Sequence, residues 1–205
     1  MAEGRICGVP TRLFRVSFTG ELGFEVNVPA RHGRAVWEAI HEAGQAHGIV
    51  AYGTETMHVL RAEKGYIIVG QDTDGTLTPD DAGLGWAVGK AKPDFVGKRS
   101  LVRPDMLDPG RKHLVGLLTH DPEVVLDEGA QIVAEPDGPI PRTMIGHVTS
   151  SYWSETLGRS IALAVIEGGK ARQGQTIHVP MPATVHAATI GGTVFVDPEG
   201  KRLAA

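Results

Sequence analysis

The chain has 205 residues, 41% of them hydrophobic and 21% charged, with a formal net charge of −4 and a pI near 6.1. That acidic balance argues against nucleic acid as a partner, and no apolar run approaches the roughly 20 residues a membrane-spanning helix needs. The lone Cys7 rules out an intrachain disulfide and a cysteine-rich zinc site; with no apolar signal segment after Met1, it implies a reducing, cytoplasmic setting.

Residues 13–18 alternate strictly and predict a half-buried strand, residues 19–23 a turn, and residues 24–28 a second strand. This hairpin is expected to carry Phe14, Val16, Phe18, Phe24, Val26 and Val28 on its apolar face and Glu25 and Asn27 on the other. Pro29 and Ala30 open a helix with Val36, Ala39, Ile40 and Ala43 on one stripe, and Gly48 stops it. Residues 49–52 predict a short strand, Thr54 caps a helix to about Glu63, Gly65 ends it, and residues 66–69 predict another strand. Residues 70–98 are loop-rich with a brief alternation at Leu84, Trp86 and Val88, and residues 98–102 predict a helical turn.

Residues 103–112, with two prolines and a glycine, predict a domain boundary, giving domains 1–104 and 105–205. Beyond it the pattern is strand and turn, with strands expected at 113–118, 131–134, 144–150, 161–165, 176–179 and 184–195. Short strands spaced by Gly and Pro turns imply a small barrel or sandwich.

The residues contain no Gly-rich phosphate loop, no nucleophile elbow and no metal-binding His pair, so no metal is expected. Asp72, Asp74, Asp80 and Asp81 read as turn and cap residues before they read as a cleft or cation site. Trp86 and Trp153 read as core residues before stacking platforms, and His58 as a helix-surface or partly buried histidine. Glu25 has two readings: a solvated glutamate, which the residues alone favour, or a bidentate acceptor for a planar N–H pair such as a pterin edge.

Five ordered motifs carry a resemblance: Thr19-Gly20-Glu21-Leu22-Gly23-Phe24-Glu25, Leu60-Arg61-Ala62-Glu63-Lys64-Gly65, Thr78-Pro79 with Gly83-Leu84-Gly85-Trp86, Asp94-Phe95-Val96-Gly97-Lys98, and Thr149-Ser150 with Thr156-Leu157-Gly158 through Ile161-Ala162-Leu163-Ala164. Together they resemble the glycine-cleavage T-protein (aminomethyltransferase) folate-binding family over nearly the whole chain. Residues 52–65 and 70–76 are most similar to the branch found in alpha subunits of heterotetrameric sarcosine oxidases. Glycine-cleavage members carry arginine where this sequence has Met57, which sets this chain apart from them.

The resemblance implies an α+β chain: a partial ferredoxin-like α/β folate-binding lobe followed by a small C-terminal β-barrel. It implies tetrahydrofolate as ligand, Glu25 as the carboxylate that holds the pterin, and Tyr52, Glu55 and Trp86 as further candidate contacts. The chemistry implied is oxidative demethylation of sarcosine at a CH–NH group, with the one-carbon unit captured as 5,10-methylenetetrahydrofolate. Flavin and NAD would sit in other regions or subunits, so the other sarcosine oxidase subunits are implied partners.

Two further readings stay open: the folate module of a dimethylglycine dehydrogenase or aminomethyltransferase, and a non-catalytic interaction or scaffold module. Because the resemblance begins in the middle of the folate module, the chain is expected to be a piece of a longer protein. It is expected to contain no catalytic residue, to be inactive alone, to bind folate weakly or not at all, and to self-associate as a homodimer through an apolar face.

Overall fold

The computed structural model describes residues 1–204. The chain is mixed α/β, as the resemblance implied, and divides into two compact units: Met1–Arg61 with the C-terminal residues from Glu199, and Ala62–Pro198.

The first unit is built on an antiparallel ribbon of three strands, β1 (Ala2–Ile6), β2 (Val9–Arg15) and β3 (Phe24–Asn27), in that order. Leu13 pairs with Val26 and Phe14 with Glu25. Side chains opposite one another across a ladder share a face, so the register settles which residues turn inward. Val9 and Thr11 are buried and Leu13 and Val26 half-buried, whereas Glu3, Pro10, Arg12, Glu25 and Asn27 are exposed on the other face. The expected apolar face is therefore wrong by one residue in β2. Phe14 lies beside Glu25 rather than beside Val26, because β2 starts at Val9 and ends at Arg15, before Val16 and Phe18. A one-residue change of phase moves every side chain of a strand to the opposite face.

After the ribbon comes α1 (Gly33–Gly44), whose Val36 is 3% exposed. A short 3₁₀ turn follows, and Gly48 closes it in the left-handed conformation (φ 72°), as the sequence predicts. The C-terminal residues tie down the β2–β3 loop: Leu22 N–H donates to the Arg202 carbonyl, Arg15 to that of Leu203, and Arg202 pairs with Glu21 at 2.9 Å. The strand expected at 49–52 is not formed. Val50 and Tyr52 are 79% and 61% exposed, with no ladder partner among the described residues. Helix α2 (Thr54–Glu63) has the predicted bounds.

The second unit is centred on a closed barrel of six strands: β4 (Lys112–Thr119), β5 (Gln131–Val133), β6 (Met144–Ser154), β7 (Arg159–Glu167), β8 (Thr176–Pro180) and β9 (Val185–Gly191). Around the barrel the order is β4-β7-β6-β5-β8-β9. Val115, Leu117, Ile132, Val148, Ile166, Ile177 and Ile190 fill its interior. A second apolar cluster covers the outer side, where Leu114, Leu163 and Val165 meet Ile67, Leu77 and Phe195. Coverage on both faces explains why β7 reads as one unbroken apolar run.

Residues 66–69, expected as a strand, make only an isolated bridge between Val69 and Thr73. The chain turns instead, with the Ile68 N–H bonded to Asp72 Oδ2 at 2.9 Å, and Ile67 goes to the barrel wall. The alternation at 84–88 is a 3₁₀ turn, Gly85–Ala87, that leaves Trp86 81% exposed, so its expected place in the core is also corrected.

Candidate functional site

Glu25 stands in the middle of β3, on the face of the ribbon that carries Arg12, Phe14 and Asn27. Its side chain is exposed and has no hydrogen-bond partner among the described residues, so both carboxylate oxygens are open to a donor pair. The ladder to β2 fixes the backbone beneath it. A cavity of about 490 Å³ lies at the Asn27 end of this ribbon, lined by Glu3, Arg12, Asn27 and Pro29 among others, and Glu25 is not part of its wall.

Tyr52 and Glu55 lie in the same unit, exposed at the approach to α2 and in its first turn. Trp86 belongs to the other unit. It lines a cleft of about 570 Å³ with Thr78, Asp80, Lys90, Leu101 and Lys170. The four candidate residues are thus distributed over two units, three in the first and one in the second. Among the described residues no cluster of His, Cys, Asp or Glu could hold a metal ion, and no helix is long and apolar enough to cross a membrane.

The charged residues of the recurring motifs turn out to be buried. Glu63, 4% exposed, accepts hydrogen bonds from Ser154 Oγ at 2.6 Å and Thr156 Oγ at 3.1 Å. Its carbonyl accepts the N–H groups of Phe195 and Val196. Lys64 pairs with Asp197 at 3.1 Å and also donates to the Asp197 carbonyl. Gly65 (φ 73°) runs so close to the chain that an added Cβ would meet the Thr193 carbonyl oxygen at 2.5 Å, so no other residue fits there. These contacts hold Glu63, Lys64 and Gly65 to Ser154, Thr156 and residues 193–197 of the same unit.

Asp72, fully buried, accepts from the hydroxyls of Thr149 and Ser150, each at 2.6 Å, at the point where β6 is bulged. Gln71 reaches the Thr149 carbonyl and Ser150 Oγ beside it. A buried carboxylate is tolerated when donors surround it, which is the arrangement here.

Asp81 is the centre of a third network. It bonds the Thr78 N–H at 2.8 Å and Arg111 Nη2 at 2.7 Å, with His113 Nε2 at 3.8 Å. Burial pushes its carboxyl upward, but the hydrogen bonds from Arg111 and Thr78 outweigh that and hold it below the ordinary aspartate range. Burial lowers His113, and the Lys170 ammonium lowers it further against the opposing pull of Asp81 and Asp80. Burial also lowers His147, helped by Lys112. Asp74 is lowered by hydrogen bonds from Thr76. The acids that read as caps and turn residues do that work in Asp72, Asp74 and Asp81, while Asp80 pairs with Lys170. Sequence reasoning missed the burial of Glu63 and Lys64; the one signal was two adjacent opposite charges ending a helix just before a glycine.

Residues 1–92 match the GCVT N-terminal domain, and residues 112–197 match the glycine cleavage T-protein C-terminal barrel domain. The chain belongs to the glycine cleavage T-protein family. Within it, the chain is 51% identical over 199 residues to a sarcosine oxidase subunit alpha of Corynebacterium sp. (strain P-1), covering 95% of this chain and 20% of that one. It is 39% identical over 174 residues to a trimethylamine-oxide aldolase of Ruegeria pomeroyi, covering 84% of this chain and 21% of the other. The fold is shared with the crystal structure of the aminomethyltransferase T of the glycine cleavage system from Bartonella henselae. That match has a TM-score of 0.77 at 24% identity and covers 91% of this chain and 50% of that one. The chain therefore spans a fifth of the sarcosine oxidase subunit and half of the solved T-protein.

Proposed function

We propose that this chain is the pterin-holding lobe and terminal barrel of a folate-dependent demethylating enzyme of the sarcosine oxidase alpha-subunit kind. Residues 1–104 form the second lobe of the folate module and residues 105–205 its barrel domain. The observation that carries the reading is the open carboxylate of Glu25, held on a paired strand beside Phe14 within the Thr19–Glu25 motif. The 51% identity to a sarcosine oxidase subunit supports the choice of reaction.

The donor set fits a pterin. A carboxylate with two free oxygens accepts a pair of parallel N–H groups, and an aromatic side chain on the same face supplies a flat apolar neighbour. Glu25 orients the ring through its amino-pyrimidinone edge; Tyr52, Glu55 and Trp86 are proposed as further contacts. Tetrahydrofolate, when bound, supplies the nucleophilic nitrogens that take up a one-carbon unit derived from the amine. The residues of this chain do the positioning, and orientation of this sort converts a chance encounter into a directed one. Flavin and NAD are assigned to other regions or subunits of a cytoplasmic, multi-subunit parent. The 205-residue chain alone is proposed to be inactive and weak in folate binding. A carboxylate bathed in solvent gains little from one ligand, because water competes for each hydrogen bond. A homodimer of the chain belongs to the same proposal: Phe24, Trp37 and Val50 are exposed.

The test uses a chimera in which this chain replaces the matching span of the Corynebacterium subunit, assembled with its partner subunits. Glu25→Gln is expected to weaken tetrahydrofolate binding by roughly 2 kcal/mol, about 30-fold, when read by titration calorimetry. Unchanged affinity would remove the pterin role and favour a scaffold function. Turnover of sarcosine against dimethylglycine by the same chimera fixes the substrate.

A further inference from the structure

Charge is distributed unevenly along this acidic chain. Residues 85–112 hold seven of the 20 Lys and Arg but three of the 24 Asp and Glu, a net charge of +4 against −8 for the remainder. Three of those cations are engaged within the fold: Arg111 on Asp81, Arg103 on Asp105 at 3.8 Å, and Lys98 on the carbonyls of Lys92 and Pro93, both at 2.9 Å. The Lys98 contacts draw together the Lys90–Lys92 and Lys98–Arg99 pairs, which are separate in sequence.

The same contacts hold the loop in one shape. Ser100 and Leu101 return their N–H groups to the Gly97 carbonyl, and a 3₁₀ turn, Ser100–Val102, follows. Phe95 and Leu101 turn partly inward, while Val96 is fully exposed and Val102 is 63% exposed. Lys90, Lys92, Arg99 and Arg103 are exposed around them. The loop thus exposes two valines, Val96 and Val102, in a stretch that carries these cations and one exposed acid, Asp94.

We infer that residues 90–103 form a docking surface for an acidic protein partner, one whose carboxylates alternate with apolar or aromatic side chains that pack on Val96 and on Val102. An apolar centre with a charged rim is the anatomy of a protein interface, and a loop already held by its own hydrogen bonds loses little freedom on binding. Opposite charge on the partner speeds the encounter and sets its orientation. Nucleic acid fits less well, since the remainder of the chain carries −8 and two valines offer nothing to a phosphate. A lipid surface fits less well too, because two valines on a loop insert little apolar area. The inference stands independently of the role given to Glu25.

The experiment uses the whole chain and two probes, poly-L-glutamate and a random copolymer of glutamate and tyrosine, with binding followed by fluorescence anisotropy at low and high salt. The chain is expected to bind both, to prefer the copolymer, and to weaken as salt rises. K92E/R99E should weaken both probes by about tenfold or more. V96S/V102S should abolish the preference for the copolymer and leave poly-L-glutamate unaffected. R31E/R34E, the same charge change at exposed positions on and beside α1, should leave binding within about twofold. Each variant should melt with the parent chain, since all the substituted side chains are exposed. The inference is overturned if R31E/R34E weakens binding as much as K92E/R99E, or if V96S/V102S retains the preference. It is also overturned if phosphatidylglycerol vesicles or a single-stranded oligonucleotide bind more tightly than the copolymer. A dimer in sedimentation that K92E/R99E dissociates would reassign the surface to a second copy of the chain.

Discussion

The barrel and the three-stranded ribbon are both antiparallel, yet they manage their backbones in opposite ways. In the barrel every strand has a neighbour on each side, and Leu117, Ile132, Val148, Ile166 and Val179 are all exposed by 2% or less. The ribbon has two edge strands, β1 and β3, and the buried hydrophobic residues of the first unit are Val9 on β2 and Val36 on α1. A closed sheet satisfies its own hydrogen bonds and stabilises itself. An open one keeps a polar face, and with it Glu25, available to something else. The closed sheet and the open one thus belong to different units.

Core deletions put the contrast to its hardest test. Leu117→Ala, in the barrel interior, is expected to lower stability by roughly 2–5 kcal/mol in chemical denaturation. Val26→Ala, half-buried in the ribbon, should cost about 1 kcal/mol or less. Equal losses would show that the ribbon is as well packed as the barrel. Next in size is Asp72→Asn, which changes the acceptor for the Thr149 and Ser150 hydroxyls and the Ile68 N–H. It is expected to cost roughly 2 kcal/mol and to raise amide exchange in residues 66–76 while the interior strands stay protected.

The smallest effect is a pH dependence confined to the barrel unit. His113 and His147 both titrate below the ordinary imidazole range, so the unfolded chain takes up protons first as the pH falls. Stability is therefore fully present above the unfolded histidine value near 6.5 and declines as the pH drops below it towards the folded values. Asp81 and Asp74, lowered in the fold, add a further loss once the pH falls through the unfolded carboxyl value. Denaturant midpoints measured across this range should fall with pH, and H113Q/H147Q should flatten the upper part of the slope.

The barrel was legible because its strands are either apolar on both faces or broken by Gly and Pro at each turn. All six appear where the alternation and turn residues place them, although β6 and β7 run further than expected and β9 stops earlier. The ribbon was less legible. Strand β1 carries Glu3, Gly4 and Arg5 and offers no periodic signal, and without it the phase of β2 could be set only from its aromatic residues. Residues 49–52 and 66–69 have the composition of strands but lack a neighbour to pair with, which is a property of the fold and not of the segment. The candidate site was legible only through its motif. An exposed glutamate on a strand looks like any other until the residues around it repeat a known pattern. The buried pair Glu63 and Lys64 stayed hidden because their partners, Ser154, Thr156 and Asp197, are distant in sequence.

The attachment of Lys64 to Asp197 has a mechanical consequence. A pull applied at the C-terminus is met first by the contacts of Arg202 and Leu203 with Glu21, Leu22 and Arg15, then by that ion pair and the two amides resting on the Glu63 carbonyl, before it reaches any barrel strand. Trimming the tail back to Gly191 would leave an ammonium stranded inside the protein.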